Sequence, residues 1–344
     1  MKKIDLTGSH YDIGFNVGRL FQKQIHELIK NHTDLNESLL PAYHRPGGEQ
    51  IFRKYYDFHR YRFPDYWDEL CGLAEGAQCE FEKLFLLNLR GEFASIIVEN
   101  DLAGCTTCTL NTSNGFVLGH NEDSMALFHD CLFLANVKPK GKSGFMTLSY
   151  PGFLFGNAMG INRNGLFFTV NITAVKTPGF GIGRYFASRS LLDAGSLPEA
   201  IAILAETPRA SGFNYTFADL NRSKIMNVEV VSNQLHIRNI EDRYAHTNHY
   251  IELSGIDHVV TPSSHHRLIQ VQNLIHTLEK PEAMDVLNIL GDRSDPPYTI
   301  YRKASKPEQT ATLITIRLLM NERKLELYYG HPIEYPESKL EFSL

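Results

Sequence analysis

Apolar residues in the first quarter of the chain recur at every third or fourth position. In YDIGFNVGRLFQKQIHELIKNH, residues Ile13, Val17, Leu20, Phe21, Ile25, Leu28 and Ile29 draw one stripe along a helix. EFEKLFLLNLRGEFASIIVE repeats the pattern with Phe81, Leu84, Phe85, Leu89 and Phe93. Both stripes are expected to be core. The first hundred residues should be mainly helical, with the Pro/Gly-rich region around 40–50 as the longest loop. From residue 105 the texture changes: CTTCTL, FVLGH, CLFLANVKP, FMTLSY and GLFFTVNITA are β-rich runs bounded by turn residues, and neighbouring runs pair as antiparallel hairpins. Helices follow at about Ile182–Ala194 and Pro198–Glu206. The second opens with SLPE, in which Ser196 and Glu199 have the spacing of a capping box and Pro198 fits the first turn. Strands FNYTFADL and KIMNVEVV, a helix at about Ser264–Glu279, and strands TATLITIRL and KLELYYG complete the order. That succession predicts a layered α+β domain.

Composition narrows the function classes. The 344 residues, 43% hydrophobic and 21% charged, suffice for a sizeable core, in one compact domain or two tightly joined segments. A net charge of -5 leaves no excess of positive charge for a phosphate backbone or an anionic lipid surface, so neither nucleic acid nor membrane is an expected partner. MKKIDLTGSHYD lacks an apolar run after its lysines, and no stretch is long enough to span a bilayer, so the expected location is cytoplasmic. Five cysteines, at 71, 79, 105, 108 and 131, are an odd number, which argues for reduced thiols.

Cys105 and Cys108 form a CxxC pair with several readings. A buried thiol acting as a small hydrophobe is the plainest. A redox dithiol would want a helix amino terminus, whereas Thr106, Thr107 and Thr109 favour a strand. A zinc site would need further ligands, for which His246 and His249 of HTNH are the candidates. A fourth reading rests on spacing. Cys105 is followed by a strand, a turn at SNG, a second strand and then GHNED, and a hairpin of that length brings Asp123 back beside Cys105.

The Gly104–Cys105 bond in GCTTC, Asp123 in GHNED and Asn248 in AHTNH resemble the acyl-CoA:6-aminopenicillanic acid acyltransferase family of N-terminal-nucleophile hydrolases. GSHYDIGFNVGRLF, LLNLRGEF, MGINRNGLFFTVN, RYFASRSLLDA and GHPIEYPE extend the likeness along the chain. The resemblance implies a four-layer αββα sandwich with two antiparallel sheets between helical layers. It also implies self-cleavage at Gly104–Cys105, dividing a helical segment 1–104 from a β segment 105–344 that remain associated. Cys105 would be nucleophile, Asp123 a partner of the new amine, and Asn248 an oxyanion donor. Where related bile-salt and penicillin V hydrolases carry arginine before the asparagine of this motif, here stands His120, which argues against a bile-salt-like pocket; Thr312 stands near the position of a serine in the penicillin enzymes.

The residue types suit amide chemistry. A chain-terminal cysteine carries an α-amine, of ordinary pKa about 7.7–8.0, that can take the thiol proton and later protonate the leaving group. Asp123 can orient that amine, and Asn248 can donate to a tetrahedral oxyanion. His120, Asn121 and Asn171, whose vicinity offers a backbone donor, are further substrate or oxyanion candidates. Arg267 could bind a substrate carboxylate or brace Asp123, though an arginine at a helix start is more often solvated or ion-paired. Phe153 and Phe155 are candidates for a pocket wall. The expected substrate is a small acyl amide or acyl-CoA, with no metal or other cofactor required. A papain-like Cys/His dyad using His120, His246 or His249 is the alternative, and an inactive binding module of the same fold is another. Whether the chain forms homo-oligomers is open.

Overall fold

A computed structural model describes residues 1–94, 104–304, 306 and 310–344. The chain opens with β1 (Lys2–Gly8), then α1 (His10–Leu20), α2 (Gln22–Asn31), a π turn at Asp34–Leu39, α3 (Leu40–His44), α4 (Gly48–Arg62), α5 (Pro64–Ala77) and α6 (Phe81–Leu87). The amino-terminal stripe is split by a break at Phe21, and its positions Ile13, Val17, Phe21, Ile25 and Leu28 are buried, whereas Leu20 is 41% exposed. The region 40–50 is not a long loop: α3 and α4 leave only residues 45–47 between them. The second stripe is helical only to Leu87, although Leu89 and Phe93 are buried as expected; residues 95–103 lie outside the described residues.

The remainder supplies β2 (Thr106–Thr112), β3 (Gly115–Met125), β4 (Phe133–Pro139), β5 (Phe145–Ser149), β6 (Met159–Asn162), β7 (Leu166–Ile172), α7 (Arg184–Asp193), α8 (Leu197–Ala205), β8 (Gly212–Asp219), β9 (Lys224–Val231), β10 (Gln234–Ile240), β11 (Arg243–His246), α9 (Pro262–His276), α10 (Ala283–Leu290), β12 (Thr310–Leu319), β13 (Lys324–Tyr328) and β14 (Lys339–Ser343). At α8, Ser196 caps Glu199 N, but Glu199 reaches back to Gly195 N, so the capping box closes one residue early.

Two sheets result, with strand orders β1-β4-β5-β6-β7-β8-β9-β10 and β11-β2-β3-β12-β13-β14. Among the described strands the pairings are antiparallel except β1 with β4. The sheets face each other, as the 2.7 Å bond from Thr107 Oγ1 on β2 to Asn171 Oδ1 on β7 shows. Helix α10 covers the outer face of the second sheet, its Val286 and Leu290 seated on Gly119. On the far side of the first sheet, α7 sets Leu192 on Gly160, and Phe21, at the break between α1 and α2, stacks on Phe133 of β4 at 4.4 Å. The architecture is therefore the αββα sandwich that the sequence implied.

Residues before and after position 104 are interlocked. Strand β1 pairs with β4 along seven residues. The α5 carboxylate Glu69 is held by the α7 guanidinium Arg189 at 3.0 and 3.2 Å, with His10 Nδ1 3.2 Å from the same carboxylate. Helix α1 approaches α5 so closely that a Cβ on Gly14 would lie 1.8 Å from Glu69 O, which only glycine tolerates.

A buried imidazole adds a pH-sensitive tie. His59 on α4 bonds Tyr55 O through Nδ1 at 2.8 Å, while its Nε2 accepts from Gly183 N at 2.9 Å, so the ring must be neutral. Burial pushes its pKa from 6.5 down to about 4, partly opposed by the Tyr55 bond. A depressed folded pKa means the unfolded chain binds the proton first, so this contribution is whole above about pH 6.5 and is lost as pH falls towards 4. We expect about 3 kcal/mol of stability to disappear across that window on this account, at about 1.4 kcal/mol per pH unit. Urea unfolding at pH 7 and pH 4.5 checks it, and a His59→Gln variant should show a correspondingly flatter pH dependence.

Candidate active site

Cys105 precedes β2, and its neighbours are fixed by the hairpin that β2 makes with β3. The register pairs Thr106 with Asn121, so the chain of β3 returns Glu122 and Asp123 to the level of Cys105. The Cys105 thiol donates to Glu122 Oε2 at 3.6 Å and lies 3.9 Å from the Asp123 carbonyl oxygen. Burial, then the negative charges of Glu122 and Asp123, hold the thiol well above its ordinary pKa. In the intact chain it is therefore a neutral thiol. Gly104, at φ +133°, packs directly on Asn248: a Cβ there would fall 2.1 Å from Asn248 Oδ1.

Two buried arginines organise the floor of the site. Arg267 on α9 donates through Nη1 to Cys105 O at 2.6 Å and to Thr106 Oγ1 at 2.7 Å, and through Nη2 to Asn248 Oδ1 at 2.7 Å. Desolvation and the like charge of Arg302 pull its pKa down to about 9. Arg302 Nε lies 3.4 Å from Asp123 Oδ2. Both Asp123 side-chain oxygens are sealed from solvent, with Arg302 and the Thr312 hydroxyl as their polar neighbours. Burial raises the Asp123 pKa, with the charges of Arg302 and Arg267 pulling the other way. Asn248 is anchored by its backbone N–H to Ser264 Oγ at 2.8 Å and donates from Nδ2 to Ile172 O at 3.1 Å.

These groups open onto a cavity of about 350 Å³. Phe128, Tyr150, Phe153, Val170, Ile172 and Tyr185 supply an apolar and aromatic wall. Charge comes from the Asp34–Arg90 ion pair and from Arg184, whose guanidinium lies 4.2 Å from the Tyr185 ring centre. A second hollow, of about 480 Å³, by Asp5, Asn136, Arg163 and Arg323, shares no lining residue with the Cys105 cavity.

The structure thus brings together Cys105, Asp123, Asn248, Gly104 and Phe153 around one cavity, with Arg267 buried behind it. Arg267 is neither solvated nor free for a substrate carboxylate, because its donors are spent on Cys105, Thr106, Asn248 and Ser263. Other candidates fall elsewhere. Asn121 points away, donating to Leu290 O and Ile300 O on the α10 side of the sheet. Phe155 packs on Phe145 in the core. Asn171 is buried between the sheets with its Oδ1 taken by Thr107, outside the cavity lining. His120 is also sealed in, its Nδ1 2.8 Å from Thr107 Oγ1 and its Nε2 3.4 Å from Glu122 Oε2. His246 is occupied by Glu229 and the Thr247 carbonyl, and His249 by Ser264, so neither forms a dyad or a zinc site with Cys105. Cys108 faces α10, its sulfur against Gly119 on the opposite side of the strand from Cys105, and all five cysteines are free.

Sequence reasoning missed three contributors. Glu122 stood inside the quoted GHNED motif; Tyr150, whose hydroxyl donates to Glu122 Oε1 at 2.7 Å, and Arg302 carried no local signal. Cys105, His120 and Glu122 each bring one donor atom to within 4.8 Å of the others, so the three side chains form one cluster at the site.

The αββα sandwich, with a buried cysteine ahead of an inner strand, has the layout of the N-terminal-nucleophile hydrolase fold. Residues 110–334 match the family model described as acyl-coenzyme A:6-aminopenicillanic acid acyl-transferase, and the chain belongs to that family. It is 29% identical over 363 aligned positions to the beta-alanyl-dopamine/carcinine hydrolase of Drosophila melanogaster, covering 95% of this chain and 92% of that one. It is 26% identical over 253 positions to the acyl-coenzyme A:6-aminopenicillanic-acid-acyltransferase 40 kDa form of Emericella nidulans, covering 72% and 69% respectively. Among solved structures, a Caenorhabditis elegans N-acylethanolamine-hydrolyzing acid amidase ortholog aligns with a TM-score of 0.46 and 13% identity, over 63% of this chain and 93% of its own. No helix among the described residues is long and apolar enough to cross a membrane.

Proposed function

We propose that this protein is a self-processing cysteine amidohydrolase or acyltransferase that works through an acyl-Cys105 intermediate. The observation that carries the reading is a buried carboxylate, Asp123, that lines the same cavity as the Cys105 thiol and is paired with Arg302 at 3.4 Å. A buried carboxylate is costly unless it is well paired, and an ammonium group at residue 105 would add donors to those of Arg302. Such a group exists only if the Gly104–Cys105 bond is cut.

Once freed, the α-amine accepts the thiol proton as the sulfur attacks a substrate carbonyl, and returns it to the departing amine. Asp123 holds the ammonium form. Asn248, packed on Gly104 at the carbonyl side of the bond, is the side-chain donor for the oxyanion, and Arg267 positions both Asn248 and the Cys105 carbonyl. Water or an amine then resolves the thioester. The segments 1–104 and 105–344 stay joined through β1–β4, Glu69–Arg189 and Phe21–Phe133.

The substrate class is a small linear amide with an apolar or aromatic portion. The Drosophila relative, a hydrolase of beta-alanyl-dopamine and carcinine, favours hydrolysis, and the Emericella relative extends the class to acyl-CoA donors. Free cysteines throughout fit a reducing, cytoplasmic setting. Intact-mass measurement of the purified protein tests the reading. We expect a 104-residue piece and a 240-residue piece, the latter beginning at Cys105. Full amide turnover by an uncut 344-residue chain would overturn it.

A further inference from the structure

The maturation step poses a problem that the mature enzyme does not have. Before the Gly104–Cys105 bond is cut, the nitrogen of Cys105 is an amide and cannot act as a base, yet the thiol must lose its proton to attack. The surroundings make that harder, since burial and two carboxylates hold the thiol neutral. Among the described residues, the side chain that receives the thiol proton in a hydrogen bond is Glu122, whose Oε2 lies 3.6 Å from Cys105 Sγ. From Asp123 the thiol meets the backbone oxygen, at 3.9 Å. The Nε2 of His120 faces Glu122 Oε2 at 3.4 Å, and its other nitrogen is held by Thr107. A carboxylate beside a nucleophilic sulfur opposes thiolate formation by repulsion, so its presence there needs a reason.

We propose that Glu122 is the proton carrier of self-cleavage, a role that rests on the maturation reading above and is separate from turnover. The thiol proton passes to Glu122 Oε2 as Sγ bonds the Gly104 carbonyl carbon. The carbon–nitrogen bond to Cys105 then breaks, and Glu122 returns the proton to the departing nitrogen, which becomes the free α-amine. Water hydrolyses the resulting thioester, leaving a carboxylate on Gly104 and the thiol restored. One water is consumed, and Glu122 ends as it began. Tyr150, donating to Oε1 at 2.7 Å, fixes the carboxylate so that Oε2 points at sulfur.

The test follows cleavage of the full chain made by cell-free synthesis, by intact mass over time. Glu122→Gln should mature about 10²–10⁴-fold more slowly than the wild type, the usual contribution of a positioned proton-transfer group. Glu122→Ala should be equally slow and should speed up with added formate, which restores a carboxylate in the space left behind; a merely structural defect would not respond. Cleavage of Glu122→Gln within about threefold of the wild-type rate, or an alanine variant indifferent to formate, overturns the role. A wild-type chain that stays whole is a different failure: it removes the maturation reading itself.

Discussion

Replacing Cys105 with alanine is expected to give a single uncut chain with no measurable amide turnover. Both outcomes follow from one missing atom. The sulfur is the nucleophile for the Gly104 carbonyl and for substrate, and removing a covalent nucleophile costs on the order of 10⁶ in rate in hydrolases that act through a triad. The fold should survive. Cys105 is held chiefly through its backbone carbonyl, which Arg267 grips at 2.6 Å, and alanine keeps that contact. Cys108→Ala is the matched control, because Cys108 is also buried but lies on the α10 face, where burial pushes its thiol up to about 12. That variant should mature and turn over normally and lose about 1 kcal/mol of stability. Cleavage of the Cys105→Ala chain at position 104, or turnover by it, would end the proposal.

The contrast between the two cysteines also shows what the sequence could reveal. A strand places residues 105 and 108 on opposite faces, so CxxC could be set aside as a redox pair from alternation and the threonine-rich setting. The return of Asp123 to Cys105 followed from counting strand and turn residues. Glu122 was within reach of the same count: Thr106 pairs with Asn121, so Glu122 falls opposite Cys105 and shares its face of the sheet. Asn121, one residue earlier, faces the other way by the same alternation and donates to Leu290 O of α10.

Contributors from distant sequence were not legible. Arg302 reaches Asp123 from a segment with no periodic pattern, and Tyr150 arrives from the end of β5. At the amino terminus, β1 escaped notice because KKIDLTG buries only Leu6 fully; it is an edge strand whose reason for existing is its partner β4. The helices of residues 40–62 were hidden by Pro41 and by Gly47–Gly48, which punctuate α3 and α4 without making a long loop.

Asp123→Asn is expected to separate the two halves of the chemistry. The amide has the size of the carboxylate but offers a donor where the α-ammonium needs an acceptor, so turnover should fall about 10³–10⁴-fold, as when the orienting carboxylate of a triad is made an amide. Self-cleavage should be much less affected, because the α-amine that Asp123 holds does not exist until the bond is cut. The stability cost should be modest, about 1–3 kcal/mol. Arg302 and Arg267 lose a counter-charge, but a carboxylate whose pKa is raised by burial was itself poorly accommodated. Intact mass reads maturation, and steady-state kinetics on a small aryl or alkyl amide reads turnover. Glu122→Gln should show the other pattern, slow to mature. If Asp123→Asn blocks cleavage as severely as turnover, Asp123 acts before the amine is born, and its assignment as the partner of that amine is wrong.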